Sequence, residues 1–205
     1  MRKIMFLMIF VALVGCETAQ KQDSGSNQKL SVIVDDLSNQ TGEAEYNNVL
    51  SSVSPDFSSA IQKTGKFIIV ERKRLGKVLE ELEFNASGLV SPKSMKKIGE
   101  ITGADAVLFI ELNEVNYSDT DSDRVLYTST NQEMKIRLSA KLVDTESAEI
   151  ISNVSKSYEC ENSVKYIFSD LMINKKIEKS EILSKLISDS AEDFTREIAR
   201  KTSTK

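Results

Sequence analysis

The chain has 205 residues, enough for one domain or at most two. Forty per cent are hydrophobic and only 8 are glycine and 2 proline, which supplies a packed core and excludes a fibrous or long disordered chain. The formal charge of −4 argues against nucleic acid as a partner, and the absence of histidine removes the commonest general base and metal ligand.

Residues 1–16 read MRKIMFLMIFVALVGC. Arg2 and Lys3 form a positive start, and Ile4 to Val14 is uncharged and apolar. That stretch is shorter than the roughly 20 residues a membrane-spanning helix needs, and it fits the apolar region of a signal peptide. The run Leu13-Val14-Gly15-Cys16 resembles a bacterial lipobox. The resemblance implies cleavage between Gly15 and Cys16, a diacylglycerol thioether on Cys16 and an acylated new amino terminus. Two or more acyl chains hold a protein on a membrane, at about 0.8 kcal/mol per buried methylene. Losing residues 1–15 removes Arg2, Lys3 and no acid, so the mature charge is −4 − 2 = −6. Glu17, not aspartate, follows the cysteine, which by resemblance to enterobacterial sorting implies delivery to the outer membrane. Residues 17–28, ETAQKQDSGSNQ, hold one apolar side chain and read as a flexible tether. The expected organisation is therefore signal peptide 1–15, lipidated tether 16–28 and one folded domain 29–205.

Within that domain Leu30 to Leu37 reads as a strand, closed by the turn residues 38–42. Tyr46, Val49, Leu50, Val53, Phe57, Ala60 and Ile61 recur at helical spacing. Pro55 interrupts them, so a kink or a restart with Ser54 as N-cap is expected. Gly65 ends the helix. Phe67 to Glu71 is an apolar run of the kind covered on both faces. Leu75, Val78, Leu79 and Leu82 mark a helix. Ser91 and Pro92 open the next, with Met95, Ile98 and Ile101 as its apolar face and Gly103 as its stop. Ala106 opens a strand to about Tyr117. Met134, Ile136, Leu138, Ala140 and Leu142 alternate with polar residues as a half-buried strand. The turn 144–148 leads to a returning strand ending near Tyr158. Val164, Ile167, Phe168, Leu171 and Met172 suggest a short helix, whose surface could serve core packing or a partner. Ile182, Leu183, Leu186, Ile187, Ala191, Phe194 and Ile198 build a terminal amphipathic helix. The order β-α-β-α-α-β-β-β-α-α predicts a single α/β domain with a mixed five-stranded sheet and helices packed on it. Its first two strands are expected to run parallel, and its last three to form an antiparallel meander.

One ordered set of residues carries a resemblance. Gly65-Lys66-Phe67-Ile68-Ile69-Val70-Glu71-Arg72, Leu75, Val78-Leu79-Glu80-Glu81, Ser87-Gly88, Ile98-Gly99 and Gly103-Ala104-Asp105-Ala106 are similar to the central block of the CsgG family, the curli secretion lipoproteins. Asn39-Gln40-Thr41-Gly42 and Val143 to Ile150 extend the match, which covers most of residues 29–152. The resemblance implies a periplasmic domain on a lipid anchor, facing other envelope proteins and assembling into homo-oligomeric rings. In channel members each subunit adds β-hairpins to an outer-membrane barrel. Relatives of the LpoB type have no pore and activate a peptidoglycan synthase by binding it.

The chain departs from the channel pattern. Membrane strands need about 9–11 residues with an apolar outer face. The tip between the third and fourth strands, residues 118–131, carries Asp119, Asp121, Asp123 and Arg124. Residues 159–179 show helical rather than alternating spacing, so no second hairpin is expected, and the fold carries over better than the pore. Asp119, Asp121 and Asp123 begin like a calcium loop, but Arg124 and Thr130 stand where glycine and glutamate are needed, so a solvated acidic turn is expected and no metal. Asp35 and Asp36 are strand neighbours on opposite faces and cannot share a proton. Glu71-Arg72-Lys73-Arg74 reads as a solvated helix start, ahead of a phosphate patch. Cys160 reads as a free thiol at a strand end, ahead of an intermolecular disulfide in an oxidising periplasm. No nucleophile motif or phosphate loop is present, so neither catalysis nor a cofactor is expected. Protein contact at the outer membrane, in secretion or assembly of fibre subunits, leads the functional readings, ahead of synthase activation.

Overall fold

The computed structural model describes residues 29–71, 91–123, 127–167, 171–173 and 176–202. In chain order these form β1 (Leu30–Asn39), a 3-10 turn (Ala44–Tyr46), α1 (Asn47–Lys63), β2 (Phe67–Ile69), α2 (Pro92–Thr102), β3 (Ala106–Asp123), β4 (Tyr127–Asp144), β5 (Ile150–Ile167), β6 (Leu171–Ile173) and α3 (Lys179–Thr202). The strands make one mixed sheet in the order β2-β1-β3-β4-β5-β6. β1 pairs parallel with β2 and β3, and β3, β4 and β5 form the antiparallel meander, as expected. The mixed α/β sheet with helices on it holds, with the short β6 added at the far edge.

α1 and α3 lie together on one face and bury Leu50, Val53, Phe57 and Ile61 with Leu183, Ile187, Phe194 and Ile198 against the sheet. Phe194 anchors the layer edge-on to Phe57 at 6.3 Å and to Tyr158 at 6.4 Å between ring centroids. α2 lies on the other face, where Met95 and Ile98 pack with Ile33 and Val107. Its ends follow the sequence signals: the Ser91 hydroxyl accepts from Ser94 N, Pro92 is the first helical residue, and Gly103 closes it at φ +71°. Ile101 stays 45% exposed, and Thr102 takes the buried position instead.

The restart expected at Pro55 does not occur: α1 runs unbroken from Asn47 to Lys63. Ser54 is no cap but a buried clasp. Its hydroxyl donates to Leu50 O and accepts from Leu37 N, tying the helix to β1. β2 is shorter than its apolar run and lies at the sheet edge, leaving Ile68 53% exposed instead of covered on both faces. The helix expected at 75–82 falls outside the described residues.

The largest correction concerns the meander. β3, β4 and β5 each run 18 residues, well past the expected ends near Tyr117, Met134 and Tyr158. The helix expected over Val164–Met172 is strand instead: β5 continues to Ile167 and β6 returns beside it, Lys165 opposite Ile173 and Ile167 opposite Leu171. A second hairpin therefore exists where none was expected. Local apolar spacing imitates a helix there, but pairing with β4, Asn131 opposite Ser163 and Ser129 opposite Lys165, decides the conformation.

Candidate functional site

The candidate site lies on the half of the meander beyond the apolar core. Register assigns its faces. Near α1 and α3 the inward residues of β3 are Leu108, Ile110 and Leu112, opposite Leu142, Ala140 and Leu138. A bulge at Asn113 then shifts the parity, so that Val115, Tyr117, Asp119 and Asp121 face inward opposite Ile136, Met134, Gln132 and Thr130. The apolar core ends at Met134, and the inner face beyond it is polar.

Gln132 organises that polar stretch. It is 1% exposed. Its Nε2 donates to Tyr117 OH at 2.9 Å and to Ile177 O at 2.8 Å, and its Oε1 accepts from Asn162 Nδ2 at 2.8 Å and Ile177 N at 3.1 Å. One side chain thus joins three strands to the segment leading into α3, with every donor and acceptor used. Beside it Thr130 donates to Asp121, and Lys176 pairs with Asp119. The Lys176 ammonium is held above its ordinary range by that bond to Asp119.

The outer face of the same half is also polar. Cross-strand neighbours there are Glu114 and Arg137, Asn116 and Lys135, Ser118 and Glu133, and Thr120 and Asn131. Arg137 pairs with Glu114 at 2.9 Å, Lys135 with Glu159 at 3.5 Å, and Asn131 Nδ2 donates to Glu161 at 2.8 Å.

Where apolar core gives way to polar sheet, an open groove of about 950 Å³ is lined by Tyr46, Val115, Tyr117, Met134, Cys160 and Lys179, among others. Lys179 closes one end. Its ammonium stands 2.8 Å from Glu45, 3.7 Å from Glu43 and 4.9 Å from the Tyr46 ring centroid. The bond from Lys179 holds the Glu45 carboxyl below its ordinary range, and the Lys179 ammonium is raised in turn. Cys160 sits in the middle of β5 opposite Met134, not at a strand end; burial raises its thiol.

Asp119, Asp121 and Asp123 belong to β3 and not to a turn or loop, and among the described residues no group of three or more Cys, Asp or Glu could hold a metal ion. Asp35 and Asp36 sit at a bulge between β1 and β3. Gly15, Cys16, Arg72, Lys73, Arg74 and Phe168 lie outside the described residues, and the side chains of Val164, Leu171 and Met172 are not described. Gln132 and Asn162 were missed, although Gln132 simply continues the alternation of Met134 to Leu142.

Residues of the family-like block meet in space. Asp105 accepts from Ser31 N at 2.8 Å and Ser31 Oγ at 2.6 Å, and the buried Thr145 hydroxyl reaches Ala104 O at 2.7 Å. A Cβ on Gly99 would lie 2.7 Å from Thr145 Oγ1, which is why that helix position is glycine. Asp144 Oδ1 accepts from Glu146 N and Ser147 N, and the Ser147 amide above all holds its carboxyl below the ordinary range. These residues build the junction of β1, α2 and the β4–β5 turn.

A helix-backed mixed sheet continued by a long polar meander defines a small α/β domain whose distinguishing surface is an array of strands. The family model for the curli production assembly/transport component CsgG matches residues 15–189, and the chain belongs to the CsgG family. Among solved structures it is similar to lipoprotein GNA1162 from Neisseria meningitidis, at 16% identity and TM-score 0.48, over 82% of this chain and 99% of that one. The LpoB C-terminal domain from Salmonella enterica is 19% identical at TM-score 0.41, over 65% and 85%. The PelC dodecamer from Paraburkholderia phytofirmans is 13% identical at TM-score 0.34, over 82% and 89%. No curated protein matches the chain in sequence. Among the described residues no helix is long and apolar enough to cross a membrane.

Proposed function

We propose that the chain is an outer-membrane lipoprotein, cut between Gly15 and Cys16, lipidated on Cys16 and held on a tether of residues 16–28 with its domain, 29–205, in the periplasm. There it serves secretion or assembly of extracellular fibre subunits, or another envelope assembly, by protein contact and without completing a pore of its own. The observation that carries the anchor is the family match beginning at Gly15, immediately before the lipobox cysteine. The polar outer face of β3 and β4 supports the second half of the reading. From Glu114 to Thr120 and from Asn131 to Arg137 it presents no apolar residue where a membrane strand needs a continuous apolar band.

Metabolic labelling with radioactive palmitate tests the anchor. Label should enter the wild-type protein and be lost in Cys16→Ser, and globomycin should accumulate the uncleaved precursor. An unlabelled, mature wild-type protein would overturn the reading. Purified lipoprotein added to planar bilayers should give no stepwise conductance; discrete steps would return it to the channel members. Affinity purification from crosslinked envelopes should recover secretion or fibre-assembly proteins, whereas a peptidoglycan synthase as the main partner would favour the activator function.

A further inference from the structure

Among the described residues, the direction of hydrogen bonds across the meander leaves an edge of β5 open. Asp144 N donates to Glu149 O, so even-numbered residues of β4 turn their backbone groups toward β5. The register pairs even with even, Met134 with Cys160 and Leu138 with Lys156. Odd-numbered residues of β5 therefore turn their N–H and C=O away from β4. The Asn153 carbonyl agrees, accepting from Lys201 Nζ at 3.2 Å from outside the ladder. The next four in the series, Ser155, Ser157, Glu159 and Glu161, are all exposed, and among the described residues nothing bonds to their backbone groups. Farther along, the chain fills this edge itself, where β6 pairs with Lys165 to Ile167. An open row of this kind is a template for an added strand.

A second observation falls on the same stretch. Between β5 and α3 lies a cavity of about 230 Å³ with Cys160, Ile177, Ile182 and Leu186 as its apolar lining. Glu181 and Asp189 also line it, against the cation Lys185. On the other face of β5 stand Glu159 and Glu161. Side chains of an added strand would alternate between the two, one set over the apolar cavity and the other beside the two glutamates.

We propose that the β5 edge from Asn153 to Glu161 captures an extended segment of a partner protein by strand addition, the segment alternating aliphatic residues with lysine or arginine. The aliphatic residues enter the cavity beside Ile182 and Leu186, and the cations face Glu159 and Glu161. Charge selects this occupant over a second copy, because the chain is itself acidic, with a formal charge of −4. The surface is a property of the folded domain and does not depend on the anchor.

The test uses the mature lipoprotein in detergent and a fluorescent octapeptide of alternating valine and lysine, read by anisotropy and amide hydrogen exchange. The peptide should bind saturably and protect the amides of Ser155, Ser157, Glu159 and Glu161. A glutamate-for-lysine peptide should not bind, and methylating alternate peptide nitrogens on the bonding edge should weaken binding about tenfold or more, because the added ladder is lost. Ser157→Pro should do the same while leaving the β4 ladder intact, since an outward edge N–H is where proline is tolerated. Circular dichroism checks that this variant folds, and the methylated peptide tests the proposal without it. Equal binding of the acidic peptide, indifference to methylation, or protection elsewhere on the surface would overturn the proposal. So would a dimer that protects the same amides without peptide, which would make the occupant a second copy.

Discussion

The two halves of β3 and β4 are continuous strands with opposite physics. From Ala106 to Leu112 and from Met134 to Leu142 the inner face is apolar and fully covered by α1 and α3. From Asp119 to Asp121 and from Thr130 to Gln132 it is polar and held by directed bonds to Asn162, Lys176 and Ile177. The first half is stabilised by burial, which is non-directional and scales with area. The second depends on each buried polar group finding its partner, because an unpartnered one costs about 1–3 kcal/mol. A strand array can thus be extended past the helices that would normally cover it, at the cost of placing a few side chains accurately.

The largest effect should come from the apolar half. Phe194→Ala removes a fully buried ring packed edge-on to Phe57 and Tyr158. It should cost about 3–5 kcal/mol in urea unfolding. Gln132→Leu probes the polar half. It keeps the volume but removes the bonds to Tyr117 OH, to Asn162 Nδ2 and to both backbone groups of Ile177, so a loss of about 2–4 kcal/mol is expected, as both backbone groups of Ile177 lose this partner. Hydrogen exchange separates the two variants. In Gln132→Leu, amides of residues 116–123 and 129–134 should exchange faster while those of Val32 to Val34 stay protected. If all accelerate together, the halves are one cooperative unit and the contrast drawn between them fails.

A smaller effect is expected at the junction on the opposite face. Gly99→Ala places a Cβ 2.7 Å from Thr145 Oγ1 and 2.9 Å from Thr145 Cβ, and Thr145 is buried and bonded to Ala104 O and Asp105 O. Overpacking costs about 1–3 kcal/mol, and alanine returns about 1 kcal/mol of helix propensity. A net loss of up to about 2 kcal/mol in thermal or urea unfolding is expected, and a stabilised variant would show that the β4–β5 turn moves aside freely.

Legibility in the sequence divides along the same line as the physics. Where one face is apolar and the other polar, as in Met134 to Leu142, alternation gives the strand and its inward side. Where capping chemistry is present, at Ser91, Pro92 and Gly103, it gives the helix ends. In Ser118 to Asp123 and Thr128 to Glu133 both faces are polar, so a period of two has no contrast to display and the strands read as a loop. The bulge at Asn113 hid the continuation further, because the apolar series Leu108, Ile110, Leu112 resumes on odd numbers at Val115 and Tyr117. From Val164 to Met172 local spacing gave the wrong answer outright, since the ladder with β4 is a long-range interaction. The groove and the open β5 edge depend on that ladder, and neither was visible before the strands were placed.

Tyr158 stands at the boundary between the halves and should yield the smallest effect at neutral pH, with a distinctive pH dependence. Its register partner is Ile136, its ring packs on Phe194, and its hydroxyl donates to Asp193 Oδ2 at 2.9 Å, a carboxylate that Lys156 also contacts. Burial first, then the bond to Asp193 and its charge, raise the phenol well above its ordinary value of 10.0. Folding therefore favours the protonated phenol. The stability this contributes is fully present below the unfolded value and is lost as pH rises beyond it toward the raised folded value. Tyr158→Phe keeps the ring contact and removes the titration. At pH 8 the two proteins should differ by about 0.5–1.5 kcal/mol in favour of the wild type, the worth of one hydrogen bond. As pH climbs past 10 the gap should close and then reverse, because only the wild type can gain stability in its unfolded state by losing that proton. Parallel urea titrations at pH 8, 10 and 11 read this directly. A gap that stays constant across them would mean that the hydroxyl at the boundary is solvated like any surface phenol and that the apolar half ends before Tyr158.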